Sequence, residues 1–308
     1  MRVFIIVISI VLTLIFLFFL ITFLFYRFVF YSPRKGQISD QNLLTSKNYQ
    51  RYEEKERQLI ANIMKVPFED VYINSFDKLK LHARLFENKK STKVAILMHG
   101  YRGTAYRDFC EGLTLMLELD YNVLLVDQRA HGLSKGHAIT FGVNESKDLL
   151  MWLDYAKDRF VNASEIVLYG VSMGAFTVLN ISNQIDKNIK LIADSPYSSP
   201  KDVLKAAIKS VHLPAFLIYP LLSVTAKMYA HVNLNKISAF NSVAQSDNKI
   251  LIIHGDNDRV VPHKLSLALK ERYPNKIRYE LFIGAGHGVS YLRDTMRYQE
   301  IIREYLIS

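Results

Sequence analysis

From residue 3 to residue 26 this 308-residue chain carries no charge, and only Ser9, Thr13 and Thr22 interrupt a run of aliphatic and aromatic side chains. Wound as a helix at about 1.5 Å per residue, the run reaches roughly 36 Å, enough to cross a hydrocarbon core of about 30 Å with some tilt. A helix inside a globular core normally keeps a polar face over that many turns. A cleaved signal peptide fits poorly: the run is long, only Arg2 precedes it, and no small-x-small site comes before Ser32-Pro33. Nor does a cysteine follow closely enough for lipoprotein processing. The expectation is an uncleaved, single-pass membrane anchor over residues 1–31. Arg2 flanks one side and Arg27, Arg34 and Lys35 the other. That surplus leans toward a cytoplasmic C-terminal portion without fixing the membrane side.

The remainder is globular in composition. Half of all residues are apolar, 22% are charged, and 39 basic side chains face 29 acidic ones. Disorder, collagen-like repeats and a disulfide scaffold are excluded on these grounds. Cys110 is the single cysteine, so no internal disulfide, cysteine zinc cluster or iron–sulfur cluster can be built by one chain. The basic surplus is scattered rather than gathered into a stripe with interleaved aromatics. Attraction to an anionic lipid surface accounts for it more simply than nucleic-acid binding, and no nucleic-acid partner is expected.

After the anchor, residues 32–66 read as a polar tether with Pro33 and Gly36, then a connecting helix from a Thr45 or Ser46 cap to about Met64. Residues 67–308 alternate regularly. Runs at 71–76 and 79–86 form an antiparallel hairpin around Asp77 and Lys78. Short apolar strands follow at 93–98, 122–127, 165–169, 189–193, 250–254 and 277–283. Helices are expected at 106–119, 145–160, from the 165–169 strand's turn to about Ile185, 263–271 and 290–306. Short apolar runs between helices indicate parallel strands buried on both faces. The fold class is α/β: an eight-stranded, mostly parallel sheet with helices on both faces and an antiparallel start. Between 193 and 250, helices at 201–211 and 216–229 form a small helical lid over about residues 196–246.

Gly170-Val171-Ser172-Met173-Gly174 follows a strand and opens a helix. That context puts Ser172 on a tight strand-to-helix turn with its hydroxyl exposed. A serine hydroxyl needs a base, and His287, between Gly286 and Gly288 after the last strand, is placed to reach it. The imidazole needs a carboxylate to hold its tautomer. Two acids compete after the strand at 250–254. Asp258, just before the helix opened by Pro262, is preferred; Asp256 is the alternative and otherwise shapes the turn.

Ser172, Asp258 and His287 in that chain order resemble the α/β-hydrolase superfamily, in its serine esterase and peptidase branch. Three signatures carry the resemblance: His99-Gly100-Tyr101-Arg102-Gly103, the Ser172 turn, and the stretch from His254-Gly255-Asp256 to Val261-Pro262. It covers about residues 71–306 and is similar to bacterial hydrolases classed with the S9 or S33 serine peptidases. The resemblance implies an oxyanion hole built from the backbone N–H groups of Tyr101 and Met173. It also implies that the loop Asp127-Gln128-Arg129-Ala130-His131-Gly132-Leu133-Ser134, with Ala130 where the family has glycine, is scaffolding with His131 near the site. Ser195 lacks flanking glycines and reads as loop structure near the lid.

The expected function is a membrane-anchored serine hydrolase cleaving an ester or amide bond of a small acyl substrate through an acyl-enzyme. The resemblance implies a bacterial cell membrane. The alternative is a serine peptidase of the S9 or S33 type acting on a peptide, and further off a non-catalytic binding protein on the same fold. No metal or organic cofactor is implied.

Overall fold

The computed structural model describes residues 1–32 and 52–307. Helix α1 (Arg2–Phe25) is followed without a break by a π-helical turn, Tyr26–Phe30. Each of the first twenty-one residues is exposed. The expected cap at Thr45 or Ser46 and the tether with Pro33 and Gly36 lie outside the described residues. Helix α2 (Glu53–Ile63) is what is described of the connecting helix.

Eight strands form one sheet: β1 (Glu69–Asn74), β2 (Lys80–Phe86), β3 (Lys93–Met98), β4 (Tyr121–Asp127), β5 (Glu165–Val171), β6 (Lys190–Asp194), β7 (Ile250–Gly255) and β8 (Ile277–Phe282). Their spatial order is β1-β2-β4-β3-β5-β6-β7-β8. β1 pairs antiparallel with β2, and β2 with β4; every later pairing is parallel. Alternation along the strands explains why the parallel ones are apolar throughout. Val94, Ile96 and Met98 enter one core, while Ala95 and Leu97 enter the other. The first core is covered by α4 (Val143–Arg159), α5 (Met173–Asn180), and the lid helices α6 (Pro200–Ser210), α7 (Ala215–Tyr229) and α8 (Ala239–Ala244). The second is covered by α2, α3 (Ala105–Glu118) and the C-terminal helices α10 (Ser290–Arg293) and α11 (Thr295–Ile307). Helix α9 (Lys264–Arg272) lies against β8.

The chain leaves β3 for β4 on one side and returns to β5 on the other, so β3 has neighbours reached in opposite directions. Such a switch point opens a crevice at the carboxyl ends of the strands. The register Met98↔Gly170 brings the ends of β3 and β5 level, which sets the loop beginning at His99 beside the turn containing Ser172.

Two helices differ from the sequence expectation. The helix after the β5 turn stops at Asn180 rather than near Ile185, because the Ser242 hydroxyl donates to the Asn180 carbonyl at 2.8 Å and occupies it. The C-terminal helix breaks at Asp294, whose backbone leaves the helical region (φ −149°, ψ 88°). Its carboxylate then accepts from the Arg297 N–H at 3.1 Å and caps the new helix. The short α8, capped by Ser238, was not expected.

Candidate active site

Ser172 sits between β5 and α5 with φ 54° and ψ −111°, a conformation costly for a residue with a Cβ. The turn is that tight because α5 presses onto the end of β3. A Cβ at Gly174 would stand 1.8 Å from the Met98 carbonyl oxygen, and one at Gly170 would stand 2.2 Å from the Gly174 carbonyl. The Ser172 N–H donates to the Asp194 carbonyl at 2.8 Å, which ties the strained residue to β6.

The loops after β7 and β8 supply the partners. Gly255 lets them touch, since a Cβ there would lie 2.3 Å from the Ala285 carbonyl oxygen. His287 Nδ1 is 2.7 Å from Asp258 Oδ2, and its Nε2 is 2.9 Å from Ser172 Oγ. A carboxylate only accepts, so Nδ1 carries the proton and Nε2 is left to accept from the serine hydroxyl. Asp258 Oδ1 accepts from the Val260 and Val261 N–H groups at 2.9 and 2.8 Å. Burial works to raise the Asp258 pKa, but the charge and hydrogen bonds of His287 and His254 outweigh it and hold the carboxyl well below the usual range. For His287, burial opposes the imidazolium. The Asp258 charge and hydrogen bond dominate, with Asp194 and Asp108 adding to them, and raise its pKa above the ordinary value. Asp256, the competing acid, accepts instead from the Gly284 N–H at 2.6 Å and shapes the turn.

The loop after β3 closes the other side. A Cβ on Gly100 would lie 3.3 Å from Ser172 Cβ, so the backbone leading to Tyr101 runs against the serine. Met173 is the first residue of α5, where an N–H has no partner within the helix. The loop is pinned from three directions. The Gly100 N–H donates to Asp108 Oδ2 at 2.7 Å, and the Arg102 N–H donates to His131 Nε2 at 3.0 Å. His99 Nδ1 lies 2.8 Å from the Gly100 carbonyl, and its Nε2 accepts from the Gln128 N–H at 3.1 Å. Each ring thus accepts at Nε2, which only a neutral imidazole does. Burial lowers the pKa of His99; burial, and then the repulsion that two protonated imidazoles side by side would suffer, take His131 down to about 3.

The rest of the loop after β4 is scaffolding. Arg129 is held by Asp148 and Asp77, and Asp127 by His82 and Arg84. Ala130, in the place of the family's glycine, has φ 63°. Ser195 is buried; its hydroxyl donates to Asp194 at 2.8 Å and accepts from the Gly288 N–H at 3.3 Å, bracing the His287 loop.

Two participants were missed from sequence. His254 is buried behind Asp258, with Nε2 at 3.1 Å from Asp258 Oδ2 and 2.9 Å from the Val261 carbonyl. It lay inside a motif already singled out, so the available signal was a second imidazole four residues before the acid. The end of the apolar helix is the other. Phe30 is 0% exposed and meets Phe141 edge-on, and Phe141 stacks on Tyr101 with centroids 5.0 Å apart. The Tyr101 hydroxyl donates to the Val29 carbonyl at 2.8 Å, and Arg102 Nη2 donates to the carbonyls of Phe28 (2.7 Å) and Tyr31 (3.3 Å). The Ile139 N–H donates to the Phe30 carbonyl at 2.8 Å.

Known proteins resemble this chain in sequence or in fold. An uncharacterised Bacillus subtilis protein, YqkD, is 25% identical over 195 residues, 62% of this chain and 64% of its own length. Among solved structures, the Pyrococcus furiosus esterase Pf2001 superposes with a TM-score of 0.65 at 25% identity, covering 80% of this chain and 92% of its own. The α/β hydrolase GrgF from Penicillium sp. sh18, 16% identical, matches in fold with a TM-score of 0.60 over 78% of this chain and 98% of its own. Residues 111–307 match the prolyl oligopeptidase family, and with an α/β-hydrolase sheet carrying them the chain belongs to that family.

Proposed function

We propose that the protein is a membrane-anchored serine hydrolase that cleaves carboxylic esters through Ser172, His287 and Asp258. The observation that carries this reading is the unbroken line of hydrogen bonds from Ser172 Oγ through the imidazole to Asp258. Ser172 Oγ attacks the ester carbonyl while His287 Nε2 takes its proton, and Asp258 stabilises the imidazolium so formed. The oxyanion of the tetrahedral intermediate is met by the N–H groups of Tyr101 and Met173. Losing one such donor typically costs about 3–4 kcal/mol of barrier. The intermediate collapses to an acyl-serine as His287 gives its proton to the departing alcohol. Water, deprotonated by the same imidazole, then releases the acid.

The likeness to an esterase from Pyrococcus furiosus favours an ester. Membership of the prolyl oligopeptidase family favours a peptide substrate as the second reading. A fluorophosphonate probe, followed by side-by-side rates on p-nitrophenyl esters and peptide p-nitroanilides, tests both. The expected result is labelling at Ser172 alone and a faster ester reaction. Labelling that persists in Ser172→Ala refutes the nucleophile, and a faster anilide reaction selects the peptidase.

Helix α1 is read as a retained membrane span. Among the described residues it is the one helix long and apolar enough to cross a bilayer. The burial of Phe30 supports retention, because cleavage beyond the helix would pull a core side chain out of the folded domain.

A further inference from the structure

We infer that α7 lies in the membrane interface beside α1, and that the site therefore draws its acyl ester from the leaflet in which α7 rests. This rests on the readings of α1 as a span and of Ser172 as the nucleophile.

The first observation is where α7 touches α1. The Tyr229 hydroxyl, at the end of α7, lies 3.3 Å from Thr22 Oγ1 and 3.4 Å from the Phe19 carbonyl. Its ring packs on Phe23 and Tyr26, with centroids 6.1 and 5.4 Å away. Arg27 and Tyr31, just beyond, stack on one another at 3.8 Å, an aromatic and cationic pair of the kind found at a membrane surface. Thr22 is four residues inside Tyr26, so at the helical rise the Tyr229 hydroxyl is fastened about 6 Å toward the membrane side of that boundary. An interfacial helix sits at about 5–10 Å depth.

The second observation is the face that α7 leaves uncovered. Ala215, Tyr219, Leu222 and Ala226 pack into the domain. Away from that face, Phe216, Leu217 and Val224 are exposed, Phe216 by 75% and Leu217 by 60%, and Leu213, just before the helix, is exposed too. Large apolar side chains exposed together on one helix are a mark of an interaction surface. Here it belongs to the same helix that is bound to the span. Lys209 and Lys227, exposed on either side of this apolar stretch, suit the headgroups of anionic lipids.

The third observation links this surface to the chemistry. The residue named as oxyanion donor, Tyr101, is bonded through its hydroxyl to Val29, in the π-helical turn that also packs against α7. The catalytic crevice and the leaflet surface are then neighbours. An amphiphilic ester can present its carbonyl to Ser172 while its chain stays among the lipids.

The full-length protein, reconstituted in phosphatidylcholine–phosphatidylglycerol vesicles, tests this. Phe216→Trp is compared with Val161→Trp, which is 82% exposed just before β5, at the amino-terminal end of the strands and so away from the crevice. Native Trp152 is fully buried and provides the common background. Adding 5-doxyl-phosphatidylcholine is expected to quench the new tryptophan at position 216 and leave the one at position 161 unchanged. Equal quenching at both, or none at position 216, overturns the inference, including the case where a second copy of the chain covers the stripe. In the same vesicles, Phe216→Glu/Leu217→Glu should lower hydrolysis of a long-chain monoacylglycerol about tenfold relative to soluble p-nitrophenyl butyrate, since interfacial binding scales with buried apolar area. An unchanged ratio overturns the leaflet supply. Fluorophosphonate labelling of Ser172 separates the two readings. Labelling without quenching removes the interfacial helix alone, and quenching without labelling removes the hydrolase.

Discussion

The Tyr101 hydroxyl donates to the carbonyl of Val29 at 2.8 Å, across 72 positions of sequence. One atom of the apolar helix's last turn thus holds the side chain of a residue whose own N–H faces the proposed oxyanion. On the proposed reading, the tie joins the membrane span to the reacting site. Tyr101→Phe keeps the ring on Phe141 and removes only this bond. A hydrogen bond of this kind is worth about 1 kcal/mol net, so kcat on p-nitrophenyl butyrate is expected to fall about fivefold with little change in thermal stability. An unchanged kcat would mean that the loop is held by its other ties, to Asp108 and His131.

Phe30 joins the same contact from the core side. It is wholly buried against Phe141, although it follows directly on a helix whose first twenty-one residues are exposed. Phe30→Ala in the full chain should destabilise the folded domain by about 3–5 kcal/mol, the range for truncating a buried phenylalanine. The same change at the exposed Phe28 should be near neutral. Thermal unfolding in detergent micelles compares the two. Equal effects would show that the π-helical turn does not dock in solution.

The raised pKa of His287 sets a pH dependence. The imidazole works as a base only when neutral, and Asp258, with smaller help from Asp194 and Asp108, favours its protonated form against the opposing effect of burial. The ascending limb of kcat/KM should therefore have its midpoint above the ordinary 6.5. Asp258→Asn removes the dominant charge, so the residual activity should rise at lower pH while its level drops at least about 10³-fold. If Asp256→Asn caused that loss and Asp258→Asn did not, the acid would be misassigned.

What the sequence made legible follows from short-range rules. The β–α alternation gave the sheet because strands buried on both faces must be apolar throughout, as Val94 to Met98 are. The turn at Ser172 was readable because glycines at 170 and 174 have a steric purpose that only a strand meeting a helix creates. Preference for Asp258 over Asp256 came from loop position alone, and the His287 distance is what separates them. What stayed hidden is long-range. Nothing periodic announces that Ser242 will take the carbonyl of Asn180, that His254 will stand behind Asp258, or that Val29 will receive a hydrogen bond from Tyr101. Those contacts depend on the order in which strands assemble, and side-chain patterns within one element do not encode it.

Glu56, on α2, offers a stability test away from the site. It is 0% exposed; among the described residues its Oε2 has no hydrogen-bond partner, and Oε1 receives a long bond, 3.4 Å, from the Tyr291 hydroxyl. Burial, aided by the charge of Asp108 and opposed by Arg107 and Tyr291, pushes its pKa from 4.5 up to about 7. The folded state therefore holds this proton to a higher pH than the unfolded chain does. The stability linked to it is full below about pH 4.5 and is lost as pH rises through about 7. Each pKa unit corresponds to about 1.4 kcal/mol, so the loss is on the order of 3–4 kcal/mol. Glu56→Gln keeps the shape and cannot ionise. Its melting temperature should exceed that of the parent at pH 8 and match it at pH 4.5, in the full chain in micelles. A difference that does not change between those two pH values would mean that Glu56 is already charged in the fold, paired with a cation such as Arg107.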